Sequence, residues 1–272
     1  MRVLVITTIV LMMTVFLGCK GKQSQNDKLP ETMTYEEGKQ NQNKKLLESV
    51  TFYYGNSIRL EYDNKNHITK AIINDEYGET TTLTLTYSND KIVSIVAEPN
   101  DNGNWHFSIK GDEILAESPH KSEEMKVNNA GYIINKKIIF YSDGDSDSSV
   151  WESSYQYEGG NLISQDYTFG NYDNYDEVFG YRVTFEYDDK NTPINCNTPK
   201  WFIQYLLSTD FACKNNRISE KYFDPYTDDS ANDMDCYYDY EYDSEGFPIV
   251  QFTSRGSKDA EATQTSFTYR GE

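Results

Sequence analysis

A short strand–turn–strand unit recurs along the chain and constrains its fold more than any other feature. It is clearest at residues 185–194 (FEYDDKNTPI) and 240–249 (YEYDSEGFPI). In both copies, aromatic residues alternate with an acidic residue, a polar turn follows, and the chain returns to an apolar residue. Alternation with a period of two is typical of a strand with one buried face, and Asn, Asp and Gly favour tight turns. The unit therefore predicts antiparallel hairpins.

Eight turns of this kind, including residues 188–193 and 214–217, can be recognised between strand-like segments, and a closing strand is predicted at 266–269. Together they predict about 16–18 strands. Twisted open sheets rarely exceed about ten strands without curling or splitting. The predicted fold class is therefore mainly β, a long antiparallel meander curled into an open barrel or trough.

Two helices are predicted beside the strands. Thr34 and Glu37 have the spacing of a capping box, which predicts a short N-terminal helix from about Tyr35 to Ser49. Thr198 and Pro199 are expected to cap and start an inserted helix near residues 199–208, whose apolar side chains would fill the inside of the curl.

The cysteines leave several pairings open. Cys196 and Cys213 flank the inserted helix, which makes a disulfide between them one candidate, and Cys236 is the third cysteine of the β domain. Pairing cannot be read from sequence alone, so the three connectivities remain alternatives.

The N-terminus has the pattern of a bacterial export signal. A charged start and an apolar run end at Leu17-Gly18-Cys19, which resembles a lipobox and predicts cleavage before Cys19 and acylation of that residue. Residues 1–18 are then the signal peptide, residues 19–33 the lipidated cysteine with a flexible tether, and residues 34–272 a single repeat-built β domain. The expected location is the outer membrane, on its periplasmic side or at the cell surface.

The lipobox, the segment Thr34–Gln40 (TYEEGKQ) and the repeated Tyr-Asp turns together resemble a family of gut Bacteroidales lipoproteins of unknown function. This resemblance implies a curled, porin-like antiparallel sheet, and the turns are also similar to YD repeats. However, the positions that alternate with the apolar ones are Glu, Asp, Thr, Gln and Arg, whereas a membrane-spanning barrel needs an outward apolar band. We therefore expect a trough held at the membrane by its lipid anchor.

The charge of the chain limits the classes of partner that it can bind. The formal net charge is -19, with 44 acidic against 25 basic residues, and no basic patch interrupts the acidic pattern. Such a chain repels phosphate backbones, so no nucleic acid partner is expected. Aromatic residues reach 14%, including 23 Tyr, which is typical of strands and excludes a disordered polar chain.

No catalytic constellation is recognisable. The three histidines, His67, His106 and His120, are not arranged with a nucleophile or with metal ligands, and each is expected at the surface. The protein is therefore interpreted as non-enzymatic, binding a ligand or partner such as a glycan or another envelope protein. The alternative is a glycan-directed hydrolase or glycan-binding protein that uses acidic and aromatic residues of the inner face.

Two weaker sites are predicted. The alternating carboxylates Asp143, Asp145 and Asp147 would suit Ca²⁺, although the loop departs from the EF-hand pattern and a solvated turn is the alternative. No other cofactor is expected.

The tryptophans are the second of these sites. Trp105, Trp151 and Trp201 are candidates for stacking against a ligand, with burial in the core as the alternative.

Overall fold

The computed structural model describes residues 45–98, 106–118, 120–141, 149–171, 179–224 and 230–271. These residues belong to one compact unit. The predicted signal peptide, Cys19 and the tether lie outside the described residues. Within the described ranges, no helix has the length and apolar character needed to cross a membrane.

Sixteen strands and one α-helix make up the described fold. The strands are β1 (Leu47–Thr51), β2 (Ser57–Tyr62), β3 (Ile68–Asn74), β4 (Thr80–Ser88), β5 (Lys91–Glu98), β6 (His106–Lys110), β7 (Glu113–Ser118), β8 (Lys121–Val127), β9 (Ile133–Phe140), β10 (Ser149–Glu158), β11 (Asn161–Asn171), β12 (Phe179–Tyr187), β13 (Arg217–Phe223), β14 (Cys236–Tyr242), β15 (Pro248–Arg255) and β16 (Thr263–Tyr269). The helix is α1 (Lys200–Leu206), followed by a 3₁₀ turn at Asp210–Ala212.

All sixteen strands form a single antiparallel sheet that curls into a nearly closed barrel. The order runs from β5 back to β1, continues through β16, and then descends to β6. The first and last strands are hydrogen-bonded neighbours, since Val50 lies opposite Phe267. The edges of the sheet are β5 and β6. The predicted fold class, strand number and inserted helix are confirmed.

Antiparallel order divides the connections between two ends of the barrel. The turns β2–β3, β4–β5, β8–β9, β10–β11 and β14–β15 lie at one end, together with the start of β1 and the end of β16. Residues 188–216, which join β12 to β13 and include α1, belong to this end, which we call the insert end. The alternate connections, such as β1–β2, β3–β4 and β15–β16, lie at the opposite end, which we call the far end.

A five-residue turn explains why Asp and Asn recur at fixed positions. At four turns the first side chain accepts hydrogen bonds from the backbone N–H groups two and four residues later, at 2.8–3.0 Å. The fourth residue has a positive φ, as in Gly78 (82°) and Gly246 (80°), a conformation that glycine adopts without strain. These turns begin at Asp63, Asp75, Asn128 and Asp243.

The tyrosines of the repeat have a second role besides packing. In five strands a tyrosine hydroxyl donates a hydrogen bond of 2.7–3.1 Å to the carbonyl of the first residue of the preceding strand. The pairs are Tyr62 with Leu47, Tyr87 with Ile68, Tyr157 with Ile133, Tyr240 with Arg217, and Tyr269 with Pro248. We call this set the tyrosine ladder. Burial raises the pKa of Tyr62, Tyr87, Tyr157 and Tyr240, so these hydroxyls remain protonated donors.

The insert fills the interior as predicted. Trp201, Phe202 and Ile203 of α1 are buried in the main hydrophobic core, together with apolar side chains from the inner faces of β1–β5 and β7–β9. Two polar side chains of the insert also serve the sheet, because each accepts a hydrogen bond from a buried backbone N–H at a strand start. Thr198 Oγ1 accepts from Ile68 N (2.7 Å), and Gln204 Oε1 accepts from Ile133 N (2.7 Å).

Three local predictions are wrong. Leu47–Thr51 is strand β1, so the helix predicted to run to Ser49 does not reach that point, and the rest of it lies outside the described residues. Pairing of Leu47 with Tyr269 and burial of its side chain outweigh the local helix propensity. Thr198 does not cap α1, since its hydroxyl is engaged with Ile68.

The third error concerns two predicted hairpin tips. Residues 188–193 and 214–217 are the two ends of one connection, because β12 pairs directly with β13. Ile194 is buried but does not begin a strand, and the predicted strand before Cys213 is the 3₁₀ turn. The sequence pattern of the repeat continues into the insert, but the insert adds no strand to the sheet.

Candidate functional site

The inner face of the barrel has two different halves. From β1 to β5 it is apolar and covered by α1, with Val50, Leu60 and Leu85 fully or almost fully buried. From β9 to β16 the inward positions carry aromatic, hydroxyl and amide side chains, and most of them are only half-buried. The second half is therefore in contact with solvent inside the barrel.

A row of aromatic rings lines this second half at the far end. Trp151 lies 5.6 Å from Phe140 and 6.2 Å from Phe169, measured between ring centroids, and Phe169 stacks on Phe179 at 5.6 Å. Register places all four on one face, since Trp151 is opposite Phe169 and Phe169 is opposite Phe179. We call these four residues the aromatic wall.

The aromatic wall is accessible. Trp151 is 38% exposed, and Phe140, Phe169 and Phe179 are half-buried. A ring packed only for stability would be largely buried, as Trp201 is. A contiguous set of partly exposed rings on a concave face is typical of a ligand-binding surface.

Neutral hydrogen-bonding groups accompany the rings. Ser153 lies one inward position deeper than Trp151 on β10, and Gln165 lies two inward positions deeper than Phe169 on β11. Gln165 Nε2 donates to Ser153 Oγ at a distance of 3.4 Å. On the other side of the barrel Thr253 and Thr263 face each other across β15 and β16 and are half-buried. These groups offer both donors and acceptors to a solute in the barrel.

A buried charge network ties the insert to the barrel wall. The Arg217 guanidinium contacts Asp210 Oδ2 at 3.2 Å and also contacts Glu220. Glu220 accepts hydrogen bonds from the hydroxyls of Tyr238 (2.9 Å) and Tyr222 (2.8 Å). Burial raises the pKa of Asp210 above its ordinary value, although Arg217 opposes this shift. A perturbed carboxyl is a common mark of acid–base catalysis, but here each carboxylate already has a buried partner.

A second buried network lies on β8 and β9. The carboxylate of Glu123 contacts the ammonium groups of Lys121 and Lys136, the latter at 2.6 Å. Burial alone would raise the pKa of Glu123, but Lys136 and Lys121 outweigh burial and hold it below its ordinary value. Glu123 is therefore ionised and neutralised inside the barrel.

This network predicts a specific pH dependence. A depressed folded-state pKa stabilises the protein above the unfolded value of about 4.5, and the contribution is lost as pH falls through the folded pKa. Glu123→Gln is expected to lower the free energy of unfolding by about 1–3 kcal/mol at neutral pH. Urea titrations should show the difference from the wild type narrowing below about pH 4.5. Glu124→Gln, on the exposed side of β8, is the control; a difference of unchanged size at low pH would contradict the assignment.

The predicted tryptophan and metal-ligand residues differ in where the structure places them. Trp151 belongs to the aromatic wall, whereas Trp201 is buried in the core at 6% exposure, so its prediction as a ligand-stacking residue is wrong. Trp105 and the three aspartates of the predicted Ca²⁺ loop lie outside the described residues. Within the described residues, no group of three or more His, Cys, Asp and Glu side chains is placed to hold a metal ion.

The structure also describes the three cysteines of the β domain. The bridge from Cys196 to Cys213 is not present among the described residues, and the thiols of Cys213 and Cys236 are buried. Burial raises the pKa of Cys236 to about 11, which disfavours its thiolate.

The histidines divide between surface and interior. His106 and His120 are exposed as expected. His67 is instead buried, because its ring stacks on Tyr87 at 4.7 Å and its Nδ1 pairs with Asp63 at 3.0 Å.

Comparison with known proteins gives little beyond this geometry. No protein family matches the chain, and no curated protein matches it. Among solved structures it is similar to a porin-like protein from Bacteroides uniformis ATCC 8492, with 9% sequence identity and a TM-score of 0.38. That similarity covers 82% of this chain and 98% of the other. The description of the fold therefore rests on the strand pairing given above.

Proposed function

We propose that this protein is a non-enzymatic, lipid-anchored protein of the bacterial cell envelope that binds a ligand inside the far end of its barrel. The observation that carries the proposal is the aromatic wall. Its rings are partly exposed on a concave, solvent-accessible face, although burying them would stabilise the fold. Partly exposed rings of this kind gain free energy when a ligand covers them.

The state of the inner carboxylates favours binding over catalysis. Glu123, Asp210 and Glu220 point inward, and all three are buried and paired with Lys or Arg side chains. A glycoside hydrolase needs two carboxyl groups that face the substrate across a cleft, one of them free to donate a proton. Among the described residues, these three carboxyl groups serve to hold the barrel and the insert together.

The described part of the chain enters the barrel at its insert end. β1 begins at the insert end, where Lys45 pairs with Asp243 of the β14–β15 turn at 2.5 Å. The far end, with its aromatic wall, lies at the opposite end of the barrel from Lys45.

Anchoring at Cys19 is tested by fractionation. Cys19→Ser is expected to move the protein from the membrane fraction to the soluble fraction, because no acyl chain can then be attached. Cys213→Ser is the matched control, since Cys213 is buried in the insert and its replacement should leave the protein with the membranes. Membrane retention of the Cys19→Ser protein after a carbonate wash would contradict lipid anchoring.

Ligand binding is tested by thermal stability. A ligand that binds only the folded state raises the unfolding temperature, and the shift grows as the ligand concentration exceeds its Kd. Polysaccharide, peptide and lipid fractions of the envelope should include one that stabilises the wild type and has a much smaller effect on Trp151→Ala. Tyr54→Ala removes an exposed ring from the β1–β2 turn and should behave like the wild type. Equal shifts in all three proteins, or no shift with any fraction, would overturn the proposal.

A further inference from the structure

We infer that the ligand of the aromatic wall is a neutral oligosaccharide, an inference that rests on the proposed function and names its ligand class. Three features of the barrel favour this ligand: the charges of the inner face, the hydrogen-bonding groups beside the rings, and the length of the wall.

The buried charges of the inner face neutralise one another. Arg217 is paired with Asp210 and Glu220, and Lys136 is paired with Glu123. A charged ligand could gain a partner among these buried side chains only by breaking one of their pairs. The chain also carries a net charge of -19, which repels polyanions before they reach the barrel. The interior therefore favours an uncharged ligand.

The groups beside the rings suit a polyhydroxy compound. One face of a sugar ring presents C–H groups that pack on an aromatic ring, while its hydroxyls point to the sides and need donors and acceptors. Trp151 and Phe169 supply rings, and Ser153 and Gln165, one and two inward positions deeper on the same strands, supply neutral hydrogen-bonding groups. An acyl chain in this place would cover Ser153 and Gln165 without replacing their bonds to water, which disfavours a lipid.

The length of the wall indicates a chain of sugars. Its rings lie on the four neighbouring strands β9, β10, β11 and β12. Strands in a sheet are about 4.8 Å apart, so the wall extends over about 14 Å. This length exceeds a single sugar ring and suits several linked residues lying across the strands. An oligosaccharide can cover the whole wall, whereas a monosaccharide would leave most of it exposed.

Arg255 is the group that an acidic ligand would use. It is exposed at the last position of β15, and its register opposite Cys236 places it on the inner face. No ion pair joins Arg255 to another described residue. The experiment must therefore compare neutral and acidic sugars of equal length.

Calorimetric titration of the purified chain with maltohexaose, cellohexaose and mannohexaose, with hexagalacturonate and with palmitate provides the test. At least one neutral hexasaccharide should bind more tightly than hexagalacturonate and palmitate. Its affinity should fall by about tenfold or more in Trp151→Ala and Phe169→Ala, and much less in Trp151→Phe, which keeps a ring. Tyr54→Ala and Arg255→Gln should bind it like the wild type. Circular dichroism of each variant shows whether its sheet is intact.

Other outcomes overturn the inference. Tighter binding of hexagalacturonate that is lost in Arg255→Gln would assign the site to an acidic glycan, and tighter binding of palmitate would assign it to a lipid. In both cases dependence on Trp151 would leave the proposed function standing. Binding of a neutral hexasaccharide that is unchanged in Trp151→Ala and Phe169→Ala would place it elsewhere on the protein. Failure of all five compounds to bind would also overturn the inference, and the thermal-shift experiment then decides the proposed function separately.

Discussion

Arg217→Met is expected to destabilise the protein by about 3–5 kcal/mol. Methionine keeps much of the length of the side chain but removes the charge that Asp210 and Glu220 share. Both carboxylates would remain buried without a cationic partner, and the two tyrosine hydroxyls that bond Glu220 cannot replace the guanidinium. The link between the insert and β13 would weaken at the same time. Equilibrium unfolding in urea measures the loss.

Arg182→Met is the matched control for this prediction. Arg182 pairs with Asp166 at 2.8 Å on the outer face of the barrel, where both side chains are more than a third exposed. Exposed pairs contribute about 0–1 kcal/mol, so this variant should unfold almost like the wild type.

A variant with all three charges removed separates burial from pairing. Arg217→Met combined with Asp210→Asn and Glu220→Gln should regain much of the lost stability, because no buried charge is left unpaired. Equal losses in Arg217→Met and Arg182→Met would show that the network does not hold the insert.

Phe202→Ala is expected to cost about 3–5 kcal/mol. The side chain is 0% exposed and packs with Trp201 and Tyr205, with ring centroids 5.8 Å and 6.4 Å away. Its removal would leave a cavity where α1 meets the inner face of the sheet, and a nearly closed barrel has little freedom to collapse into that space. Thermal and urea unfolding both measure the effect.

Tyr77→Ala provides the comparison for Phe202→Ala. Tyr77 is 75% exposed at the β3–β4 turn, so loss of its ring should change stability by less than about 0.5 kcal/mol. A similar small loss in Phe202→Ala would mean that α1 is not part of the cooperative core. Because α1 belongs to the insert end and the aromatic wall to the far end, the same variant also shows whether ligand binding needs the insert.

The hairpins were predictable because their determinants are local. Asp63, Asn128 and Asp243 each begin a turn whose hydrogen bonds close within five residues, and the alternating strands on both sides need no distant information. The closure of the barrel is different. The sequence around Leu47 predicts the end of a helix. Leu47 is part of a strand because it pairs with Tyr269, more than two hundred residues later. No local pattern carries that contact.

The candidate site was predictable only in part, for the same reason. Trp151 and Trp201 each stand next to an apolar residue in the sequence, yet Trp151 is partly exposed on the barrel wall and Trp201 is buried in the core. Whether each tryptophan is exposed depends on which half of the inner face the insert covers. That in turn depends on the arrangement of the whole barrel. The buried pairing of Arg217 with Asp210 likewise joins an insert and a strand whose relative placement no spacing rule gives.

The tyrosine ladder bears on how such barrels change in evolution. Each of its bonds joins two strands that are already connected at the far end, so one bond closes the open end of one hairpin and involves no other hairpin. A duplication or deletion of one such two-strand module would therefore include the tyrosine hydrogen bond of that module and leave the hydrogen bonds of the other modules intact. The circumference of the barrel, and with it the width of the cavity offered to a ligand, can grow or shrink in steps of two strands.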